Sequence, residues 1–171
     1  MYMKNLKIAL IGMPGCGKTT LGRLLADKLA LSFIDLDQYI IQTTNKTIEV
    51  LFEAGEESFR DIETSMLLEV SAEVNCVVST GGGVVKRPQN IEILKKEFII
   101  IYINRMLEEI INTLDSDTRP LLKNNSSNLY KLYEERRHLY EKNCSFEINN
   151  YGDNLNKIVD EIIGKIAEYI S

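Results

Sequence analysis

Two rhythms alternate along this chain. Continuous apolar runs at Leu6–Ile11, Cys76–Ser79 and Phe98–Ile103 read as buried strands, and the last is too apolar to face water. Phe33–Asp37 reads as a further strand ending in two carboxylates, and Phe146–Ile148 as a short final one. Between them, apolar residues recur three and four apart. Gly17–Leu29 is a helix carried by Leu21, Leu24, Leu25, Ala26 and Leu29. Thr47–Phe52 and Glu56–Val74 are helical and split by Ala54-Gly55; Pro88 stands where a first helical residue should, ahead of Gln89–Lys96. Met106–Leu114 is helical. A polar break, Asn124–Ser127, offers a serine to cap Leu129–Lys142. Asp153 can cap a last helix whose Ile158, Ile162, Ile163, Ile166 and Ile170 form one stripe suited to packing on a sheet. The alternation predicts an α/β fold, a parallel sheet with helices on both faces in a three-layer sandwich, with ligands at the strands' carboxyl ends. No repeat, linker or low-complexity tract breaks the pattern, so residues 1–171 are expected to form a single domain.

Composition narrows the class. The 171 residues are 44% hydrophobic and 26% charged, ordinary values for a globular domain with a real core. A net charge of −5 argues against a nucleic-acid partner, and it requires a local basic cluster to draw in any anionic substrate. Cys16, Cys76 and Cys144 lie far apart with no C-x-x-C pair, which fits a reducing cytoplasm and no zinc site. Neither a signal peptide nor a membrane-spanning run is visible.

The chemistry centres on Gly12-Met13-Pro14-Gly15-Cys16-Gly17-Lys18-Thr19-Thr20, between a strand and a helix. Glycines let successive N–H groups turn toward one anion, and the helix N-terminus behind adds its dipole. Gly15, Cys16, Gly17, Lys18, Thr19 and Thr20 are the expected nucleotide-binding residues. Lys18 is expected at the β/γ-phosphates, and the Thr19 hydroxyl on Mg²⁺. A dinucleotide fingerprint does not match the spacing and would give Lys18 no role.

Three further groups bear on the phosphate acceptor. In an extended segment, Asp35 and Asp37 share one face. One could hold magnesium through water and the other take a proton from a hydroxyl; alternatively Asp37 caps a helix over Gln38–Thr43. The third strand ends in Ser79-Thr80 without an aspartate, which makes Asp35 the best-placed carboxylate for the metal shell. Gly81-Gly82-Gly83 follows, costly in conformational entropy unless a ligand lies on bare backbone or the turn is strained. Arg60 and Glu63 stand one helical turn apart, so Glu63 can fix the guanidinium. Arg119 lies in a polar stretch and Arg136 on a helix; convergent guanidiniums would suit an acidic small molecule.

Together these residues resemble the shikimate kinases nearly end to end. The resemblance rests on the Gly12–Thr20 loop, Asp35-Leu36-Asp37, Phe59-Arg60-Asp61-Ile62-Glu63, Thr80-Gly81-Gly82-Gly83, Arg119-Pro120-Leu121-Leu122 and the run from Leu132 to Tyr140. It implies a five-stranded parallel sheet of order 2-3-1-4-5, of the P-loop nucleoside-monophosphate-kinase type. It also implies ATP-dependent phosphorylation of the 3-hydroxyl of shikimate, in aromatic amino-acid biosynthesis. By the same resemblance, Asp37 would hold the acceptor hydroxyls and act as base, Arg60 and Arg136 would clamp the carboxylate, and Gly81, Gly82 and Gly83 would offer backbone to the ring. Lys18 and Arg119 would neutralise the phosphate in flight, with Arg119 also touching nucleotide, and Thr19 with Asp35 would organise Mg²⁺. The substrate-binding helical segment would run over about 37–74, and a mobile lid over roughly 115–127 would exclude water. ATP and shikimate are the expected ligands of a cytoplasmic monomer.

Two positions depart from the family pattern. Asn112 stands where many members carry an arginine that packs on adenine, and His138 where a proline is usual. His138, the only histidine, is expected to have no chemical role. Rival readings are a kinase of gluconate or of a nucleoside monophosphate, a GTPase-like switch, and a non-catalytic nucleotide-binding module. The switch lacks a correctly spaced guanine reader, and the module should have lost Lys18, Asp37 or the arginines.

Overall fold

The central strand sits where most neighbours can cover it. β1 (Lys7–Ile11) lies at the centre of a sheet ordered β2-β3-β1-β4-β5, and its Ile8, Ala9, Leu10 and Ile11 are fully buried. The computed structural model describes residues 5–116, 126–152 and 154–171. β2 (Ser32–Asp35), β3 (Cys76–Ser79), β4 (Ile99–Asn104) and β5 (Phe146–Asn149) complete the sheet, every pairing of which is parallel. The strand order is the one the resemblance implied. Four of the six β4 residues are isoleucine, which suits a pleated surface covered on both sides, and Ile100–Ile103 are buried.

The helices are α1 (Lys18–Leu29), α2 (Leu36–Thr44), α3 (Ile48–Glu53), α4 (Glu56–Val70), α5 (Pro88–Glu97), α6 (Leu107–Ser116), α7 (Ser126–Asn143) and α8 (Leu155–Tyr169). Pro88 takes the first helical position of α5, as its missing N–H and fixed φ allow. α8 packs on α1 and β5. Its Ile158, Ile162 and Ile166 are buried, whereas Ile170, beyond the helix as its C-cap, is 46% exposed. Among the described residues, no helix is long and apolar enough to cross a membrane.

Local chemistry moves several expected boundaries. β2 stops at Asp35, because that carboxylate accepts the Gln38 N–H at 3.2 Å and starts α2. Asp37 therefore lies in the first helical turn, neither on the strand nor at the cap, and the extended-segment argument for a shared face does not apply. α4 ends at Val70, four residues short of the expected Val74. The Ser71 N–H and carbonyl are taken by Leu67 O and Lys7 Nζ, and Asn75 adopts a left-handed backbone with φ 53°. α7 begins at Ser126, ahead of the expected Leu129, so the serines lie inside the helix. Asn154 caps α8 by accepting the Lys157 N–H at 3.2 Å; Asp153 lies outside the described residues. So do Arg119 and most of the expected lid.

Candidate active site

In a parallel sheet all carboxyl ends meet at one edge, so the segments following β1, β2 and β3 converge. The loop after β1 turns through Gly15 and Gly17, with φ of 79° and 99°, a region costly to residues with a Cβ. Its carbonyls point outward and find partners. Cys16 O accepts from Asn150 Nδ2 at 2.8 Å, and Gly15 O from Arg105 Nη1 at 3.3 Å. Lys18 Nζ donates to Gly12 O and Met13 O, each at 2.9 Å, and the Lys18 side chain is buried. Cys16 is fully buried, so its thiol fills space inside the loop.

Thr19 Oγ1 donates to Asp35 Oδ2 at 2.7 Å and lies 3.3 Å from Ser79 Oγ. This is an all-oxygen set of the kind hard cations take. Among the described residues no three His, Cys, Asp or Glu side chains gather as a metal cage, so a cation here would draw its other ligands from phosphate and water. A cavity of about 480 Å³ opens above the loop, and Lys18, Thr19, Asp35, Asp37 and Gly82 share its wall. Burial, helped by the Asp35 charge, pushes the Asp37 carboxyl above its ordinary pKa, with Lys18 and Arg60 opposing.

The turn after β3 gathers buried charged side chains. None of Gly81, Gly82 and Gly83 has a positive φ, so backbone strain does not explain them. Close approach does. A Cβ on Gly83 would overlap the Arg60 guanidinium, one on Gly82 would come 2.7 Å from Pro14 Cδ, and one on Gly81 2.9 Å from Asp37 Oδ1. The bare Cα atoms thus accommodate the protein's own side chains. Arg60, buried, donates from Nη1 to Glu63 Oε2 at 2.8 Å and from Nη2 to Glu56 Oε1 at 3.3 Å. Glu63 is buried too; desolvation raises its pKa while the Arg60 and Arg136 charges pull it back.

Arg136, on α7, is buried and acts electrostatically on both Glu63 and Tyr140, as Arg60 does. The two arginines that the sequence could not place together therefore converge beside the glycine turn. Arg60 Nε, Glu63 Oε1 and Arg136 Nε are buried without a hydrogen-bond partner, a costly state that a polar ligand would relieve. His138 and Asn112 are exposed on α7 and α6.

Several residues at this edge were not singled out from sequence. Tyr140 is fully buried, stacks on Tyr102 with centroids 5.2 Å apart, and donates to Gly82 O at 2.5 Å. Asn90 is fully buried and bonds Val84 O at 3.0 Å and Glu63 Oε2 at 3.5 Å. Asn150 and Arg105 brace the phosphate loop from outside. The last two follow β5 and β4, so applying the carboxyl-edge rule to every strand would have found them.

A glycine-rich loop of this kind on a parallel sheet, facing a buried carboxyl and two buried guanidiniums, defines a small-molecule kinase of the P-loop type. The shikimate kinase family model matches residues 14–167. A shikimate kinase from Clostridium beijerinckii is 49% identical over 160 residues, covering 94% of each chain. The solved structure of the Acinetobacter baumannii shikimate kinase, in complex with shikimate, superposes with a TM-score of 0.88 at 33% identity, covering 96% of this chain and 94% of that one. A gluconokinase from Sinorhizobium meliloti shares the fold alone, with a TM-score of 0.64 at 17% identity. This chain belongs to the shikimate kinase family, whose members are ATP-using kinases.

Proposed function

We propose that this chain transfers the γ-phosphoryl group of ATP to the 3-hydroxyl of shikimate. The observation that carries the reading is the convergence of Arg60, Arg136 and Asp37 on the glycine turn, with the Lys18 loop across the same edge. Gluconate also carries a carboxylate, but the family match and the 17% identity to a gluconokinase favour shikimate.

In this reading the loop N–H groups from Gly15 to Thr20 and the Lys18 ammonium hold the β- and γ-phosphates. Arg60 and Arg136 take the shikimate carboxylate, using the nitrogens now lacking partners, and Glu63 keeps Arg60 aimed. Asp37 accepts the hydroxyl proton as the acceptor oxygen bonds to phosphorus and the bond to the bridging oxygen breaks, releasing ADP. A carboxyl with a raised pKa is a stronger base, which suits that role. Thr19 and Asp35 would hold Mg²⁺, which supplies charge neutralisation on the phosphates when bound. Arg119 is assigned the same neutralising task from the resemblance.

The deciding experiment measures ADP release from ATP and Mg²⁺ by a coupled assay. ADP should form rapidly with shikimate and only slowly with gluconate or with no acceptor. Equal release in all three arms would overturn the assignment.

A further inference from the structure

We propose that Arg105 contacts the nucleotide, the face of its guanidinium forming the wall on which the base of ATP lies. The inference rests on the reading of Gly12–Thr20 as the triphosphate site. Arg105 follows β4 directly and lines the same cavity as Gly15, Lys18 and Thr19. Its side chain is only 16% exposed and is held from several sides. Nη1 donates to Gly15 O at 3.3 Å, and Nη2 to Thr113 Oγ1 at 2.9 Å. Nε lies 3.6 Å from Glu109 Oε2, a pair without a hydrogen bond at either atom. A Cβ on Gly152, in the β5–α8 loop, would come 3.6 Å from Nη2.

Guanidinium N–H bonds lie in the plane of the group, so hydrogen-bonded partners occupy its edge and leave its faces open. A cation fastened at its edge, with a face on a cavity, suits an aromatic ring, and little ordering entropy remains to be lost on binding.

Topology says which end of the nucleotide arrives there. The acceptor side is built at β2 and β3, where Asp35, Asp37 and Gly81–Gly83 sit, on one flank of β1. A nucleotide with its terminal phosphate at that flank extends toward the other, where β4 and β5 carry Arg105 and Gly152. The phosphates are already served by Lys18 and the loop amides. Among the described residues lining the cavity, Lys18 and Arg105 are the cationic side chains.

The test is calorimetric titration of MgADP, and separately of Mg-tripolyphosphate, into the wild-type protein and the Arg105→Ala and Arg105→Gln variants. Arg105→Ala also frees Gly15 O, so it should weaken MgADP by about 2- to 30-fold more than it weakens tripolyphosphate, the range of a cation over an aromatic ring, and leave the KM for shikimate unmoved. Arg105→Gln keeps a hydrogen-bonding edge without the charge and should match Arg105→Ala. Equal weakening of both ligands would leave Arg105 a brace for the phosphate loop and nothing more, and would overturn the proposal. So would recovery of MgADP binding in Arg105→Gln, or no change in either variant. Lys18→Met separates the two levels. If it leaves both ligands binding as in wild type, the triphosphate-site reading itself fails; if it loses both while the Arg105 variants lose neither, only the Arg105 proposal does.

Discussion

The two flanks of the ligand edge are made of different material. The phosphate loop is backbone. Its shape comes from left-handed glycines, and its outward carbonyls are tied down by Lys18, Arg105 and Asn150. The flank proposed for the acceptor is side chain. Asp37 from α2, Arg60 and Glu63 from α4, and Arg136 and Tyr140 from α7 meet over a turn stripped to glycine so that they fit. A backbone site is generic, serving any triphosphate; a side-chain site is particular. Specificity should therefore fail on the second flank while nucleotide binding survives, and chemistry should fail on either.

The largest effect expected is at Asp37, the proposed base. Asp37→Asn should lower kcat by about 10²–10⁴-fold while shikimate binding, read by equilibrium titration, changes far less. A similar loss in both would make Asp37 a binding group. In the wild-type enzyme kcat/KM should fall on the acid side at a pH above the ordinary aspartate range, because burial raises the Asp37 pKa. On the other flank, Lys18→Met should lower kcat by roughly 10²–10³-fold through lost charge stabilisation, leaving the shikimate dissociation constant nearly unchanged.

The arginines offer the sharper contrast. If both clamp the carboxylate as proposed, each alanine substitution should weaken shikimate by about 10- to 150-fold, the factor for 1.5–3 kcal/mol. Only Arg60→Ala also strips the partner from buried Glu63, an uncompensated charge that costs about 3–5 kcal/mol of fold stability. Arg136→Ala should bind poorly but melt nearly as wild type does. Equal melting losses would show that Glu63 depends on both. Gly83→Ala should mimic Arg60→Ala in shikimate KM, since its methyl would occupy the guanidinium's place.

The smallest effect is on stability. The folded-state pKa of Asp37 lies above its unfolded value, so its contribution is fully present below the unfolded pKa and is lost as pH rises through the folded pKa. At neutral pH the ionised, buried carboxylate is therefore a burden. The inactive Asp37→Asn protein should melt higher than wild type there, and the gap should close as the pH is lowered. A lower melting temperature at neutral pH would mean that Lys18 and Arg60 outweigh burial.

The same contrast governs what could be read in advance. A loop defined by consecutive residues declares itself, so Gly12–Thr20 and the strand-helix alternation were legible. The meeting of Thr19 with Asp35 at 2.7 Å was also legible, since one follows the loop after β1 and the other ends β2 at the same sheet edge. The exchange between Asp35 and Asp37 was not. Period-two reasoning carried the strand two residues too far, where an aspartate cap had already begun a helix. Gly81–Gly83 could be flagged as costly, but the cause, the Arg60, Asp37 and Pro14 atoms, arrives from other parts of the chain. Tyr140 and Asn150 were missed for that reason: their partners lie 58 and 134 residues away.

The bond from Tyr140 to Gly82, one helical turn from Arg136, fixes the spacing between the two guanidiniums through a single shared turn. An inhibitor bearing a carboxylate isostere would meet a notch of fixed dimensions. Escape from such a compound by altering Arg60 or Gly83 would harm the enzyme's own catalysis or folding, which leaves resistance few routes through this part of the molecule.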